Sequence, residues 1–412
     1  MHFIYNISIG AYAFGIRLAA LFSSKAKLWV LGRKDIFSKI ENSIPKGEKL
    51  IWFHCASLGE FEQGRPLIES FREHFKDHKI LLTFFSPSGY EVRKNYEHAD
   101  YIFYLPVDTP KNAKKFIALT QPRLAIFIKY EFWFNYLNEL SRNKIPLLMV
   151  SVIFRPSQHF FKPWGGWFRK QLQKVTYFFV QNEASRNLLN SVKVYHVTVS
   201  GDTRFDRVMQ LTSEEINLPE FEKFSNNEPL LIAGSTWPAD EDILKTLLLK
   251  LEHKFKLVVA PHVVSKEHIQ QLLVKFKEQK PILFSEINNA SLAEKRVLII
   301  DSIGLLSHLY RFGIIAYIGG GFGVGIHNVL EAATYGLPVI FGPNYQRFQE
   351  AVELARLDSG FPINNDKECI EIFSRLMADK TLLQKSSDIA RNYVVENAGA
   401  TSLVLEKAKE FL

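Results

Sequence analysis

Short apolar runs alternate with amphipathic or polar stretches from residue 50 of this chain onward. Runs of this length suit strands buried on both faces, and the stretches between them are long enough for helices. The alternation therefore predicts βαβ units and parallel sheets covered by helices. The predicted strands are residues 50–54, 80–85, 101–105, 124–128, 147–153, 230–233, 257–260, 282–284, 297–300, 314–318 and 339–341.

The strand pattern restarts after residues 201–203 and a polar stretch at 212–228, which predicts that two domains join near residue 205. A length of 412 residues suits two domains of ~100–200 residues each. We therefore expect an α/β protein with two Rossmann-like doubly wound domains, residues 35–205 and residues 206–390. Residues 1–34 precede them, and residues 391–412 are helical in pattern and could return to the first domain.

The composition excludes several classes of protein. With 47% hydrophobic and 23% charged residues, the chain is neither disordered nor fibrous. Cys55 and Cys369 are too few for a disulfide framework or a four-ligand zinc site, which suits a reducing compartment. No wholly apolar run of ~20 residues occurs, which argues against a protein with several membrane spans.

The net charge of +8 is concentrated in two stretches that contain no acidic residue, residues 1–34 and residues 140–182. The remainder of the chain has more acidic than basic residues. A protein that binds nucleic acid through a broadly basic surface would not be expected to confine its charge in this way. We therefore expect no nucleic-acid partner.

The first basic stretch begins with residues 3–22, which are apolar or aromatic apart from Asn6, Ser8 and Arg17. This pattern predicts a membrane-associating segment that either crosses the bilayer or lies in its interface, with the basic flank on the cytoplasmic side. A cleavable signal would need positive charge before the apolar region, and none is present. The alternative is a helix packed on the protein itself.

The second basic stretch interleaves bases with aromatic residues. Such a mixture suits a lipid headgroup layer, or an amphiphile with phosphates and acyl chains. The alternatives are single-stranded nucleic acid and a loop whose aromatic side chains fill the core. The predicted contact residues are Arg155, Lys162, Trp164, Trp167, Arg169 and Lys170.

Ligands of open parallel sheets bind beyond the carboxyl ends of the strands, so the junctions between strands and helices are the candidate sites. After the strand at 50–54, Ser57 and Glu60 have the spacing of a capping box. The alternative is that Glu60 serves as a carboxylate that accepts a proton from an attacking hydroxyl. Glu131 is a second carboxylate, after the strand at 124–128.

Two further junctions suit an anionic ligand. Ser235 and Thr236 follow a glycine at the end of a strand and could hold a phosphate. The acids at 240–242 suit either a metal or the first turn of a helix. A glycine-rich stretch precedes a predicted helix that starts at His327, and it suits a nucleotide better than a nicotinamide cofactor.

Taken in order, these junctions resemble the 3-deoxy-D-manno-octulosonic acid (Kdo) transferases of Gram-negative lipopolysaccharide synthesis. The motifs that carry the resemblance are Ala-Ser-x-Gly-Glu at 56–60, Glu-x-Trp at 131–133, Gly-Asp-Thr-Arg-Phe-Asp at 201–206, Gly-Ser-Thr at 234–236, Ala-Pro-His at 260–262, Asp-Ser-x-Gly at 301–304 and His-Asn-x-Leu-Glu at 327–331. The chain departs from the family pattern at Lys129, Phe134 and His262, where many relatives have Glu, Pro and Arg.

The resemblance implies a GT-B fold, with two Rossmann-like domains facing across a cleft. It also implies inverting transfer of Kdo from CMP-Kdo to the lipid A precursor, a tetraacyl disaccharide bisphosphate, at the cytoplasmic face of the inner membrane. We expect no cofactor and no metal. The alternatives are a GT-B transferase with a UDP-sugar donor and a different lipid acceptor, and a non-catalytic membrane-associated nucleotide-binding protein.

The resemblance also assigns roles to residues. Glu60 would be the general base, and Glu131 would organise the cleft. Arg204 would contact the donor carboxylate. The expected donor-binding residues are Ser235, Thr236, His262, Ser302, Ile303, Gly304, Gly325, His327, Asn328 and Glu331.

Overall fold

The computed structural model describes residues 1–214, 216–251, 255–289 and 291–412. The chain divides into two compact units, one of residues 1–207 with 398–412, and one of residues 208–397. The boundaries between the units therefore follow residues 207 and 397, whereas the sequence pattern placed them after residues 205 and 390.

The first unit alternates strands and helices in the way the sequence pattern indicates. Its strands are β1 (Leu50–Cys55), β2 (Lys79–Phe84), β3 (Tyr101–Tyr104), β4 (Leu124–Ile128), β5 (Leu147–Val152), β6 (Tyr177–Val180) and β7 (Val197–Val199). Its helices are α1 (His2–Ala19), α2 (Ser24–Gly32), α3 (Ile36–Ser43), α4 (Leu58–His74), α5 (Pro87–Arg93), α6 (Pro110–Thr120), α7 (Phe134–Arg142), α8 (Gly166–Leu172) and α9 (Glu183–Ser191), and α10 (Thr203–Ser213) leads into the second unit.

The second unit repeats this plan. Its strands are β8 (Leu230–Thr236), β9 (Lys256–Pro261), β10 (Ile282–Leu283), β11 (Val297–Ile299), β12 (Ile315–Ile318), β13 (Val339–Phe341) and β14 (Gly360–Pro362). Its helices are α11 (Pro219–Ser225), α12 (Pro238–Lys250), α13 (Lys266–Lys275), α14 (Leu306–Leu309), α15 (Leu330–Ala333), α16 (Gln349–Arg356), α17 (Asp366–Ala378) and α18 (Lys380–Asn397). The chain ends with α19 (Ala400–Ala408), which packs on α4 of the first unit.

Within the described residues, each unit contains one parallel sheet of seven strands. The strand orders are β3-β2-β1-β4-β5-β6-β7 and β10-β11-β9-β8-β12-β13-β14. In each sheet the earlier strands lie on one side of the first strand and the later strands lie on its other side. The two halves adjoin between β1 and β4 in the first sheet and between β8 and β12 in the second. This arrangement leaves a crevice at the carboxyl ends of the two strands, where ligands of this fold class bind.

Every strand predicted from an apolar run is present within one residue of its expected bounds, except β8, which runs three residues past its expected end. The sequence pattern missed β6, β7 and β14. Strands β7 and β14 have three residues each and are too short for a recognisable pattern. Strand β6 follows an aromatic segment without a change of composition.

The N-terminal segment forms α1 and α2, which belong to the first unit. Arg33, after α2, donates hydrogen bonds to the carbonyl oxygens of Leu105 (2.9 Å) and Phe85 (2.7 Å), and its guanidinium stacks on Trp29. Only Ala13 of α1 is buried. Across the described part of the chain, no helix has the length and hydropathy needed to cross a membrane.

Asp206 fastens the returning end of the chain to the first unit. Its carboxylate accepts hydrogen bonds from Gly399 N at 2.5 Å and from Thr401 N and Oγ1, both at 2.7 Å. The apolar side of α19 then joins the core through Val404 and Leu405.

We expect Asp206→Ala to lower the free energy of unfolding by about 1–3 kcal/mol, because it leaves the first amides of α19 without their acceptor. Denaturant unfolding followed by circular dichroism measures this change. The control is Glu406→Ala on α19, which removes an exposed ion pair with Lys409 and should cost less than about 0.5 kcal/mol. Equal effects would contradict the role of Asp206.

Candidate active site

Glu60 lies in the first turn of α4, directly beyond β1. The predicted capping box does not form, because the Ser57 side chain makes no hydrogen bond to the helix amides. Instead, Ser57 Oγ donates to Glu60 Oε2. Lys129 Nζ lies 3.7 Å from Glu60 Oε1. The Glu60 carboxylate therefore contacts the side chains of Ser57 and Lys129 and does not cap its own helix.

Lys129 occupies the position where the chain leaves β4. Its φ of 63° is in the left-handed region, which a residue with a Cβ adopts only at a cost. The backbone amide remains tied to the sheet through a 2.7 Å hydrogen bond to Val150 O. This turn begins the loop that carries Glu131.

Glu131 is the second carboxylate at this edge of the sheet. Burial raises its pKa to about 7, and the negative charge of Glu60 acts in the same direction, while Lys129 opposes them. Near neutral pH, Glu131 is therefore protonated in a large fraction of molecules. The structure thus brings the two carboxyl groups predicted from the sequence into one electrostatic site.

His54 forms the neutral floor of this site. It is fully buried, and burial lowers its pKa to about 3. Its Nε2 accepts a hydrogen bond from Trp133 Nε1 (3.1 Å), so Nδ1 carries the proton and donates to Thr83 Oγ1 (2.9 Å). The Glu131 carboxylate is 4.0 Å from Nε2, but this neutral ring forms no ion pair with it.

Arg204 lies elsewhere in the first unit, at the start of α10. Its Nε donates to Asp202 Oδ2 at 2.9 Å, and Asp202 also accepts from Gln63 (2.8 Å) and Gln181 (3.0 Å). Asp202 is almost fully buried, so the network joins α4, β6 and α10. The side chain of Arg204 is about one third exposed.

In the second unit, the loop after β8 approaches the glycine-rich loop after β12. Gly319 N donates to Gly234 O at 2.9 Å, and a Cβ on Gly319 would stand 2.3 Å from Ser235 O, so only glycine fits there. Ser235 adopts a left-handed φ of 53° and is half-buried. Thr236 is fully buried and its hydroxyl donates to Glu241, so it supports the loop and leaves Ser235 as the accessible hydroxyl.

The acids at 240–242 have structural roles. Asp240 accepts hydrogen bonds from Trp237 N and Gly320 N, both at 2.9 Å, and thereby ties the two loops together. Glu241 is buried and pairs with His268 at 2.9 Å. Among the residues the structure describes, no three His, Cys, Asp or Glu side chains are grouped as a metal site.

Three aromatic rings stack over this junction. The His262 ring lies between Trp237 and His327, with centroid distances of 4.8 and 4.4 Å. Trp237 Nε1 also donates to His327 Nε2 at 3.3 Å. Burial lowers the pKa of His327, and the neighbouring His262 adds to this effect. Sequence reasoning found both histidines and missed Trp237, although an aromatic residue in a strand-end loop is a usable signal.

The segment after the glycine-rich loop differs from expectation. The helix begins at Leu330 and not at His327, and it has four residues, so it offers no helix N-terminus to a phosphate. Asn328 Oδ1 accepts from Leu330 N (3.1 Å), while Asn328 Nδ2 donates to Glu331 Oε1 (2.9 Å). Gly325, with a φ of 137°, allows the turn that leads into this segment.

Ser302, Ile303 and Gly304 form an exposed turn after β11, and Ile303 is 88% exposed. Asp301, at its base, accepts hydrogen bonds from Ser285 N (3.1 Å) and Oγ (2.5 Å). Hydrogen bonds therefore hold the start of the turn at Asp301, while Ile303 at its tip is exposed to solvent.

The basic aromatic segment of the first unit is partly structural. Arg169 donates to Lys162 O (2.8 Å) and Phe160 O (3.2 Å), so it holds the loop together and is not a free contact for a phosphate. Trp167 packs edge-on against Phe134, 4.8 Å away. The members of the predicted set that are exposed are Arg155, Trp164 and Lys170, and Lys162 is half-buried.

Comparison of sequences confirms the resemblance stated above. Residues 32–207 match the model of the family described as 3-deoxy-D-manno-octulosonic-acid transferase (kdotransferase). A Kdo transferase of Aquifex aeolicus is 26% identical over 393 residues, which cover 92% of this chain and 98% of that protein. A bifunctional glycosyltransferase/methyltransferase of Fusobacterium nucleatum is 26% identical over 89% of this chain, which spans only 59% of that longer protein.

Comparison of structures supports the fold. UDP-GlcNAc 2-epimerase from Neisseria meningitidis, bound to UDP-GlcNAc, matches with a TM-score of 0.62 and 18% identity, over 88% of this chain and 100% of that chain. A glycosyltransferase from Rickettsia africae matches with a TM-score of 0.57 and 14% identity, over 89% and 99%. With the two parallel sheets, these matches show the GT-B fold.

The raised pKa of Glu131 predicts a pH-dependent stability. A group whose pKa is higher in the folded protein contributes stability that is complete below its unfolded pKa of about 4.5 and is lost as the pH rises through about 7. Glu131→Gln lacks this dependence. Between pH 5 and pH 8.5, the unfolding free energy of the wild type should therefore fall by about 2–3 kcal/mol relative to Glu131→Gln.

Urea unfolding of both proteins at the two pH values measures this difference. The matched control is Glu73→Gln, because Glu73 is an exposed acid on α4. The stability of that variant should follow the wild type at both pH values. A constant difference between wild type and Glu131→Gln would show that Glu131 is ionised throughout.

Proposed function

We propose that this chain is an inverting glycosyltransferase of the Kdo transferase type, which moves Kdo from CMP-Kdo to the lipid A precursor, a tetraacyl disaccharide bisphosphate, at the cytoplasmic face of the inner membrane. The observation that carries the proposal is the Glu60 carboxylate beyond β1, which is not spent on capping and has Lys129 and Glu131 beside it. Similarity to the Aquifex aeolicus protein over most of the chain supports the choice of sugar.

Glu60 acts as the general base in this proposal. It takes the proton from the acceptor hydroxyl as that oxygen attacks the anomeric carbon of Kdo, and the bond to the CMP phosphate breaks with inversion. Burial raises the pKa of Glu131 to about 7, so near neutral pH this carboxyl carries a proton in a large fraction of molecules and adds less negative charge beside the acceptor. Lys129 Nζ lies 3.7 Å from Glu60 Oε1 and stabilises the negative charge of that carboxylate.

The second unit binds the donor. Ser235 and the loop amides hold the CMP phosphate, while Asn328 and Glu331 hold the ribose and the turn of Ser302 and Gly304 faces the cytosine. His327 is neutral in the free protein because burial lowers its pKa. A phosphate beside His327 favours the protonated form of its ring, so the leaving group is compensated by protein groups and no metal or cofactor is required.

The N-terminal helices and the basic aromatic segment serve the lipid acceptor. Helix α1 leaves large apolar side chains in water, which is costly unless a membrane covers them. These exposed side chains are Phe3, Ile4, Ile7, Phe14 and Leu18 on α1, with Leu21 and Phe22 in the turn that follows it. Lys25 and Lys27 follow directly and suit an anionic leaflet.

We expect Glu60→Gln to lower kcat at least about a hundredfold and to leave the KM for CMP-Kdo within about twofold, because the amide cannot accept the proton. Mass spectrometry of Kdo addition to the lipid A precursor, with chelator present, measures this change. Glu62→Gln is the matched control, since Glu62 is two residues further along α4 and pairs with Arg93. It should retain activity.

Several outcomes would overturn the proposal. Full activity of Glu60→Gln would exclude Glu60 as the base. Turnover of a UDP-sugar in place of CMP-Kdo would support the other type of transferase. Nucleotide binding without any transfer would support a non-catalytic protein.

The double variant Phe14→Asp/Leu18→Asp should bind vesicles of phosphatidylethanolamine and phosphatidylglycerol at least about tenfold more weakly than the wild type, because it places charge on the apolar face of α1. Vesicle co-sedimentation measures the affinity. The control, Val395→Asp/Leu403→Asp, makes the same change of charge at exposed apolar residues of α18 and α19. Equal loss in both variants would count against α1 as the membrane contact.

A further inference from the structure

A groove of about 500 Å³ lies beside Glu131 in the first unit. Its volume is within the usual range of small-molecule sites. Aromatic and apolar side chains form most of its lining, and Glu131 is its one acidic group. The residues used below are Tyr5, Ile9, Phe132, Phe160, Phe168 and Ser157.

One wall of the groove is the basic aromatic segment. Phe160 packs 4.8 Å from Phe132, which follows Glu131, and 6.1 Å from Phe168. Arg169 fixes the loop between them through backbone carbonyls. These contacts hold the wall in place, and the space beside it remains open as the groove.

The other wall is α1. This helix is anchored mainly by polar contacts: Tyr5 OH donates to Asp108, and His2 and Asn6 both bond to Asn135, at 3.0 and 2.9 Å. Tyr5 also packs its ring 4.8 Å from Phe134. Ile9, one turn further on, lines the groove and is half-buried.

The groove and the apolar surface of α1 belong to one helix of 18 residues. Tyr12, one turn beyond Ile9 on the same face of the helix, is 48% exposed. A hydrocarbon chain that enters at this surface can remain out of water along the aromatic walls as far as Glu131. Lys162 and Lys170 on the neighbouring segment suit the phosphates of the same molecule.

We infer that this groove binds one acyl chain of the lipid acceptor and so positions the sugar at the Glu60 and Glu131 carboxyl groups. The inference rests on the proposed function for the identity of the lipid. It adds a binding site for hydrocarbon that is separate from the donor-binding residues and from the membrane-facing side chains of α1. It also explains why an apolar groove adjoins a site for a polar reaction.

Two variants fill the groove from opposite walls. Ile9→Trp and Ser157→Trp each introduce an indole, and Ser157 is exposed, so the second variant does not disturb packing. Each should raise the KM for the tetraacyl acceptor about tenfold and leave the KM for CMP-Kdo unchanged. The control is Ser8→Trp, an exposed position on α1 outside the groove, which should match the wild type in both constants.

A second readout does not depend on transfer. A tetraacyl disaccharide bisphosphate with a diazirine at the end of one acyl chain is photolysed with the full chain in detergent, and adducts are mapped by mass spectrometry. We expect adducts on the groove residues Ile9, Phe160 and Phe168 in the wild type and in Ser8→Trp, with severalfold fewer in Ile9→Trp.

The outcomes separate the two proposals. Kdo transfer with adducts only outside the groove, or with an unchanged acceptor KM in both filled variants, would overturn the groove and leave the proposed function standing. Adducts in the groove without Kdo transfer would overturn the proposed function and retain the hydrocarbon site.

Discussion

The parallel pairing of β1 with β4 is the constraint on which the candidate active site depends. The register aligns Ile51 with Leu124 and His54 with Phe127, so the two strands end side by side. The segments beyond them carry Glu60 and Glu131, and between these two residues the chain forms three strands (β2, β3 and β4) and two further helices (α5 and α6). The pairing of β8 with β12 has the same effect in the second unit, where it joins the serine loop to the glycine-rich loop. In both units, the candidate site therefore lies where the two halves of the sheet adjoin.

Two carboxyl groups at one sheet edge repel each other, and the surrounding residues determine how that repulsion is relieved. Lys129 supplies one positive charge, and His54 supplies none because burial keeps its ring neutral. The remaining relief comes from a proton on Glu131, whose pKa lies near 7. A protonated His54 would have stabilised both anions and removed the asymmetry between them. The buried, fully hydrogen-bonded imidazole therefore stays neutral and leaves the pKa of Glu131 raised.

The fold was predictable from sequence where burial leaves a long apolar run, as in β1 and β4, and not where a strand has three residues, as in β7. Glu60 and Glu131 were found because strand ends are few and carboxylates there are conspicuous. The capping box at Ser57 was wrong, because spacing alone cannot tell whether a hydroxyl meets an amide or a carboxylate. The structural role of Arg169 was not predictable for a similar reason, since its partners are backbone carbonyls that leave no signal in the sequence.

The N-terminal helix shows how the balance between polar and apolar contacts can leave a site open. If α1 were held by packing its apolar side chains on the first unit, the aromatic groove would be filled and no surface would remain for a lipid. Its first half is instead positioned by hydrogen bonds that Tyr5 and His2 make and that Asn6 accepts from Asn135, together with the packing of the Tyr5 ring on Phe134. Hydrogen bonds are directional and the hydrophobic effect is not, so polar anchors can define a helix precisely enough to form a wall. The apolar groups that the fold leaves uncovered are then available to a lipid.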